Sequence, residues 1–279
     1  MSDLFALLEY DFLRNAALAG VLASIACGVI GTFVVVKRLV FISGGISHAA
    51  FGGLGACHYF GLPPLWGAFG VAAMMALLLG PERSEKLRSQ DALIGVLWAV
   101  GMAVGTVFIY KTPGYAPNLM SYLFGDILTV SQTDIWIMLV LDVAVLLFLG
   151  LFYKELVAVS FDATFAHVQG VPVAPLQTLL LLFIACAIVI LIQVVGIILV
   201  IALLTIPALI SLMLWRNFRY VLAGAVAVSM VMTSAGLALS YAYDWPTGPA
   251  IVLLGVVAMG AVHALRSVRR GRGRLVQLR

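Results

Sequence analysis

Residues 176–214 read LQTLLLLFIACAIVILIQVVGIILVIALLTIPALISLML, a run of apolar side chains without a charged residue. At about 1.5 Å per helical residue, the run is roughly twice as long as the ~30 Å hydrocarbon core of a bilayer. A single helix would have to tilt steeply, whereas a break at Gln193–Gly196 gives two crossings joined by a tight hairpin. The stretch therefore predicts membrane-spanning helices and favours two of them.

The rest of the chain has the same character. Of its 279 residues, 63% are hydrophobic and only 10% are charged, whereas a soluble domain carries about 25% charged residues. The other predicted spans are residues 13–36, 43–60, 63–80, 91–110, 132–153, 219–241 and 248–265. We predict an all-α, polytopic helical membrane protein with eight or nine spans, forming one integral-membrane domain over residues 1–279. Alternating short strands are absent, which argues against an outer-membrane barrel.

Basic residues are concentrated on one predicted side of the membrane. Its connections are residues 37–38, 81–91, 154, 216–219 and the Arg-rich tail 266–279. On the other side, Lys111 is the only basic residue of the loops. By the positive-inside rule, the C-terminus is cytoplasmic and the N-terminus lies outside. The basic tail then fits a cytoplasmic anchor better than a nucleic-acid-binding segment.

The segment 153–176, YKELVAVSFDATFAHVQGVPVAPL, is the most polar cytoplasmic connection in the second half of the chain. Ser160 or Asp162 fits the N-cap of a short helix that runs to Gln169, and Gly170 fits just past its end. A short capped helix between two spans predicts either a docking element for a partner or an ordinary amphipathic surface helix.

His48 places an ionisable, metal-capable side chain inside the apolar segment 43–60. An ionisable residue at membrane depth is a functional-site candidate that faces a cavity or the bundle interior. At 100° per residue, Gly44, His48 and Gly52 share one helix face. This stripe predicts a path or close dimer contact where His48 meets a permeating cation, since imidazole ligates first-row metals. Alternatively, it is a packing stripe with His48 hydrogen-bonded to another span, and Ser47 fits either use.

Two acidic residues are further candidates for contact with an ion. Asp142 lies near the middle of the span 132–153, where an unpaired carboxylate costs at least about 2.5 kcal/mol. Its carboxyl group must therefore be protonated, hydrogen-bonded or linked to a cation, which leaves ion passage and a structural hydrogen bond as alternatives. Asp126 lies in an outer loop or a re-entrant piece, where it would attract cations to an entrance or cap the following helix.

Several catalytic signatures are missing from the sequence. It contains no GxxxxGK[ST] phosphate loop, no HExxH zinc-protease motif and no GxSxG elbow. The chain is therefore predicted not to be an enzyme, and an importer built on it must draw energy from an ion gradient or a partner ATPase. Cys27, Cys57 and Cys186 all lie in apolar segments and are interpreted as small core residues.

Four stretches in combination resemble the permease subunits of bacterial ABC importers for zinc, manganese and iron. They are VVVKRLVFISGGISHAAFGG (34–53), SYLFGDILTVSQTD (121–134), SFDATFAHVQG (160–170) and VVGIILVIALLTIPA (194–208). The resemblance covers nearly the whole chain, and YLFGDILTV is most similar to the zinc branch. The family often carries an aspartate four residues before the histidine, at the position where this chain has Gly44.

The resemblance implies a homodimer of this subunit in the lipid of the bacterial cytoplasmic (inner) membrane, bound to two copies of a cytoplasmic ATP-binding subunit. A periplasmic or lipoprotein metal-binding protein would deliver the ion, and no nucleic acid is involved. No cofactor is expected to be bound permanently, because the divalent metal is the cargo and ATP binds the partner. The segment 153–176 would hold the coupling helix that docks in the ATPase, with Asp162, Ala166 and Gly170 as its coupling residues.

These observations predict the transmembrane subunit of an ATP-driven importer for a divalent transition metal, with zinc favoured. The predicted metal contacts are His48, Asp142 and Asp126, and the predicted path is lined by Gly44, Ser47 and Gly52. Three alternatives stay open: a manganese or iron(II) importer of the same family, a proton-driven secondary transporter working through Asp142, and a membrane scaffold without transport.

Overall fold

A computed structural model describes residues 11–80, 90–113, 125 and 127–276. Within these residues the chain forms ten α-helices, one 3₁₀ turn at Ile127–Thr129 and no β-strand. The helices are α1 (Asp11–Val36), α2 (Val40–Tyr59), α3 (Pro64–Leu78), α4 (Gln90–Lys111), α5 (Gln132–Phe161), α6 (Ala163–Val168), α7 (Val173–Val195), α8 (Ile197–Leu214), α9 (Phe218–Tyr243) and α10 (Thr247–Val276). The predicted all-α fold class is confirmed.

In the described part of the chain, eight helices are long and apolar enough to cross a membrane. The predicted span 63–80 is the shorter apolar helix α3, whose 15 residues reach only about 22 Å at 1.5 Å per residue. The polytopic membrane protein predicted from composition is therefore confirmed. Residues 176–214 form two helices. In the described part of the chain, the number of spans is therefore eight without the short helix α3 and nine with it.

The break within that long apolar run lies at Gly196, inside the predicted interval. Gly196 has φ +79° and ψ 161°, a backbone conformation that side chains other than hydrogen rarely allow. It is the C-cap of α7 and the N-cap of α8, so no loop separates the two helices. Gly125 packs directly on this turn, since a Cβ atom there would lie 2.5 Å from the Gly196 nitrogen. Gly125 and the VVGII stretch (194–198), far apart in sequence, therefore meet.

Helix α2 lies between α3 and α4 and contacts both at glycines. A Cβ atom on Gly52 would lie 2.8 Å from the Gly101 carbonyl oxygen of α4. On another face of α2, Gly53 and Gly67 of α3 meet backbone to backbone. Small residues allow membrane helices to approach this closely, and the gain in van der Waals contact stabilises the pair. The glycines of α2 therefore set its distance from both neighbours.

Basic residues gather at one end of the bundle, as the charge pattern predicts. The Lys37 ammonium donates a hydrogen bond to the Val159 carbonyl oxygen at 3.2 Å, and the Arg219 guanidinium lies 5.4 Å from the centre of the Tyr153 ring. Helix α5 bends at Phe152 but continues to Phe161. The connection to α7 is consequently residues 162–172, shorter than the predicted loop 153–176. The reason is that Tyr153 and the residues after it extend the helix beyond the apolar run.

Candidate functional site

His48 stacks on a tryptophan of the neighbouring helix. Its imidazole ring lies 4.1 Å from the Trp98 ring of α4, centroid to centroid, with an interplanar angle of 15°. Both side chains are half-buried. The sequence singled out His48 but not Trp98, whose partner could not be known before the packing of α2 against α4 was known.

Close packing of the two helices produces this stack. A Cβ atom on Gly101 would lie 3.0 Å from the His48 carbonyl oxygen, so only a glycine lets α4 approach α2 at this level. Trp98 lies about one helical turn from Gly101, which places its indole over the imidazole. Gly101 and Gly105 form a small-xxx-small pattern, a sequence signal that could have indicated a close helix contact here.

The hydrogen-bonding state of His48 is unusual for a buried ring. Its Nδ1 atom is buried and has no hydrogen-bond partner among the described residues. The predicted packing alternative required a hydrogen bond from His48 to another span, and the structure does not supply one. Because Nδ1 is enclosed, Nε2 is the ring nitrogen left for contact with a ligand. Buried polar atoms without partners are rare and need an explanation.

Gly44 lies on the same side of α2 as His48. A Cβ atom there would lie 3.4 Å from the Trp98 ring and 3.9 Å from Ile201 of α8. The indole therefore covers Gly44 and His48, two of the three positions of the predicted stripe, and Ile201 closes the space from the α8 side. The surface next to the imidazole, formed by Trp98 and Gly44, is therefore apolar.

The other two predicted path residues make contacts inside the subunit. Ser47 is fully buried, and its hydroxyl donates a hydrogen bond to the Ser43 carbonyl oxygen at 2.8 Å. Gly52 packs on the Gly101 backbone. Both residues thus have a packing role in this conformation, and their place in a translocation path stays a prediction.

Asp142 lies at a different helix interface from His48. Only 3% of its surface is exposed, and neither carboxyl oxygen has a hydrogen-bond partner within the described part of the chain. It lies close enough to the buried Cys27 of α1 for the two groups to interact electrostatically. The structural hydrogen bond that was one alternative for Asp142 is absent from the described contacts. The carboxyl group faces α1, whereas His48 faces α4.

The predicted metal contacts do not form a complete coordination sphere within one subunit. Asp126 lies outside the described residues. Among the residues that are described, no group of three or more His, Cys, Asp or Glu side chains could hold a metal ion. A resident metal centre normally has three or four protein ligands. The single imidazole of His48 suits a transient contact better than a permanent site.

A cavity of about 480 Å³ opens between α2, α3, α5 and α7, at the end of the bundle opposite the basic residues. Its walls include Phe51 and Leu54, one to two turns from His48 on the same helix, together with Asp134 and Gln193. Gln193 is exposed although its neighbours in sequence are buried. The Asp134 carboxylate accepts hydrogen bonds from the Ser131 backbone and hydroxyl, so it caps α5. This cavity could not be identified from the sequence, because its walls come from four separate segments.

The short helix α6 has the predicted caps. The Asp162 carboxylate accepts a hydrogen bond from the Phe165 backbone N–H at 2.8 Å, and Gly170 follows the helix with φ +81°. Ala166 is fully buried, which fixes the helix to the bundle. Phe165 and Val168 are 58% and 79% exposed, so α6 presents apolar side chains outward at the basic end.

A family model described as the ABC 3 transport family matches residues 9–265. The chain belongs to this family. The matched residues include the helices that carry His48 and Trp98 and the short helix α6.

Relatives of this permease span nearly its full length. It is 45% identical over 251 residues to an uncharacterised membrane protein of Synechocystis sp. strain PCC 6803, which covers 90% of this chain and 89% of that protein. It is 34% identical over 248 residues to the manganese transport system membrane protein MntC of Halalkalibacterium halodurans, with 89% and 85% covered. Among solved structures, PsaBC from Streptococcus pneumoniae in complex with Fab matches with a TM-score of 0.83, at 26% identity and with 94% of both chains covered.

These matches place the chain among metal-transport permeases. It is a multi-pass membrane subunit of a bacterial ABC importer, in the inner membrane, and ATP hydrolysis belongs to a separate subunit. Metal transport as predicted from the resemblance is confirmed at this level. The alternatives of a proton-driven secondary transporter and of a scaffold without transport do not fit membership of an ABC transport family.

Proposed function

We propose that this permease carries zinc across the inner membrane and that His48 contacts the ion during passage. The observation that supports the role of His48 is an imidazole stacked on Trp98 whose buried Nδ1 has no hydrogen-bond partner among the described residues. A neutral imidazole that is not hydrogen-bonded is available as a metal ligand. Transport also requires binding weak enough for release, which a site with one strong ligand per subunit provides.

Zinc is favoured over manganese by the donor atoms around His48. Imidazole suits zinc, whereas Mn²⁺ prefers carboxylate, carbonyl and water oxygens. Position 44, one turn before His48, is a glycine, and the side chains described beside it are those of Trp98 and Ile201. Manganese is the second candidate, because relatives such as the MntC protein of H. halodurans are named for manganese transport.

A competition experiment distinguishes the two metals. The permease is reconstituted with its ATPase subunit and binding protein, and uptake of labelled zinc is measured while unlabelled manganese, iron(II) or zinc is added. We expect unlabelled zinc to compete at concentrations at least about tenfold lower than manganese, following the preference of imidazole for zinc. More effective competition by manganese would assign the permease to manganese instead.

We further propose that the permease works as a homodimer with two ATPase subunits. A dimer would bring a second His48 to the path, which supplies the additional ligand that one subunit lacks. The delivery of the ion by a periplasmic or lipoprotein metal-binding protein is part of the same proposal. The remaining candidate contacts, Asp142 and Asp126, stay predictions, and Asp142 is buried in this conformation.

Helix α6 is proposed as the coupling helix. Its exposed Phe165 and Val168 offer apolar area for a groove on the ATPase, while Asp162 and Gly170 define its ends and Ala166 seats it on the bundle. Motion of the ATPase would be transmitted through this buried contact into the spans.

Replacing Phe165 with alanine is expected to weaken copurification of the ATPase subunit and to reduce metal-stimulated ATP hydrolysis. A buried aromatic side chain at an interface typically contributes about 2 kcal/mol or more, so the affinity should fall at least about tenfold. Tyr110→Ala is the control, because Tyr110 is 88% exposed at the opposite end of the bundle. Equal loss of the ATPase in both variants would argue against α6 as the docking element.

A further inference from the structure

We infer that Trp98 is a positioning residue for metal transfer: its indole face, rather than a hydrogen bond, orients the His48 imidazole and presents Nε2 to the ion. This inference rests on the proposed role of His48 and adds the residue on which that role depends. The two rings are stacked at 4.1 Å with 15° between their planes, which is close to parallel.

A metal-binding histidine normally depends on a hydrogen bond for its orientation. Such a residue almost always donates its second ring N–H to a carboxylate, a carbonyl or water, and this bond fixes the orientation of the ring. The second nitrogen of His48, Nδ1, is buried and has no such partner among the described residues. Something else must prevent rotation of the ring about its side-chain bonds, and the described ring that contacts the imidazole is the indole of Trp98.

The indole of Trp98 is itself held by contacts with α2. Trp98 lies one turn from Gly101, whose missing side chain brings α4 onto the His48 backbone. The Phe41 ring of α2 also contacts the indole, with its centroid 6.1 Å from that of Trp98. Gly44 leaves room for the indole edge, since a Cβ atom there would already lie 3.4 Å away. The indole therefore contacts three positions along α2, namely Phe41, Gly44 and His48, and these contacts hold it over the imidazole.

The stacking of Trp98 on His48 also has an electrostatic consequence for metal binding. An imidazole that ligates a divalent cation loses electron density and becomes partly positive. The face of an indole carries negative electrostatic potential and attracts positive charge placed over it. Trp98 therefore stabilises the metal-bound form of His48 relative to its free form. It does so without a carboxylate, whose full negative charge would hold the ion more tightly and slow its release.

The test compares Trp98→Leu, which keeps apolar bulk without an aromatic face, with Trp98→Phe, which keeps a smaller face. Zinc uptake by the complete transporter is measured as a function of zinc concentration. We expect Trp98→Leu to raise the half-saturating zinc concentration about threefold to tenfold, the range of an aromatic pair, while Trp98→Phe stays near the wild type. Thermal midpoint and ATPase copurification should be unchanged in both variants.

The double variant His48→Ala/Trp98→Leu separates positioning from packing. If Trp98 acts through His48, Trp98→Leu causes no further loss once His48 is absent. An additive loss, or equal losses in Trp98→Phe and Trp98→Leu, would overturn the inference and leave Trp98 as a packing residue. Wild-type uptake by His48→Ala alone would instead reject the proposed function, so the two failures are distinguishable.

Discussion

Replacing His48 with alanine is expected to lower the rate of zinc uptake at least about tenfold, since even partners of metal ligands contribute a factor of 10–100. Assembly with the ATPase should be unaffected, because the side chain of His48 lies between α2 and α4 and far from α6. Uptake of radioactive zinc by proteoliposomes, with ATP enclosed, measures the effect. ATPase copurification from the same preparation reports assembly.

His58→Ala is the matched control for this experiment. His58 lies ten positions further along the same helix and is also half-buried, with a buried Nε2 that has no described hydrogen-bond partner. If loss of any partly buried histidine on α2 disturbed the fold, both variants would be equally impaired. We expect His58→Ala to transport within about twofold of the wild type, as for a substitution away from the reacting centre. Wild-type uptake by His48→Ala would remove His48 from the path.

Gly67→Ala is expected to destabilise the permease by about 1–3 kcal/mol or more, although it adds only one methyl group. A Cβ atom at Gly67 would lie 2.6 Å from the Gly53 carbonyl carbon and 2.7 Å from the Cys57 sulfur. The carbon is backbone and cannot move aside, so α2 and α3 must separate. Thermal unfolding in detergent, followed by circular dichroism at a fixed scan rate, should show a lowered midpoint.

Gly70→Ala provides the control three residues away on the same helix. Nothing lies within 4 Å of a Cβ atom at Gly70, so the methyl group meets open space. Alanine is favoured over glycine in a helix by about 1 kcal/mol in water, and the midpoint should stay constant or rise. A Gly67→Ala midpoint equal to that of Gly70→Ala would show that the α2–α3 contact is looser than the structure has it.

Much of the fold could be read from the sequence because a bilayer imposes strict conditions. Backbone groups in hydrocarbon must be satisfied within the helix, so long apolar runs can only be helical. A break within Gln193–Gly196 was predicted from the length of residues 176–214, and the structure places it at Gly196. Ser160 or Asp162 was predicted as the N-cap of α6 and Gly170 as the residue past its end, and the structure selects Asp162. The extent of α5 could not be predicted in this way, since its polar last turns leave the apolar run while continuing the helix.

The site was only partly predictable. His48 was identifiable because an imidazole in an apolar span is costly, and the cost does not depend on its neighbours. Its surroundings depend on which helices touch. Asp142 illustrates the limit: the sequence placed it at mid-membrane, but not that it faces Cys27 on α1, away from α2.

The sequence by itself determined that this protein is a bundle of membrane helices, which end is basic, and which ionisable residues the bilayer makes expensive. These properties depend on the transfer of each side chain from water to hydrocarbon, which composition and length report directly. The tertiary structure decided that Gly101 brings α4 onto α2 and that Trp98 covers His48. Helix pairing in a membrane depends on the close fit of small residues on two surfaces, and a fit between two surfaces is a property of neither sequence segment alone.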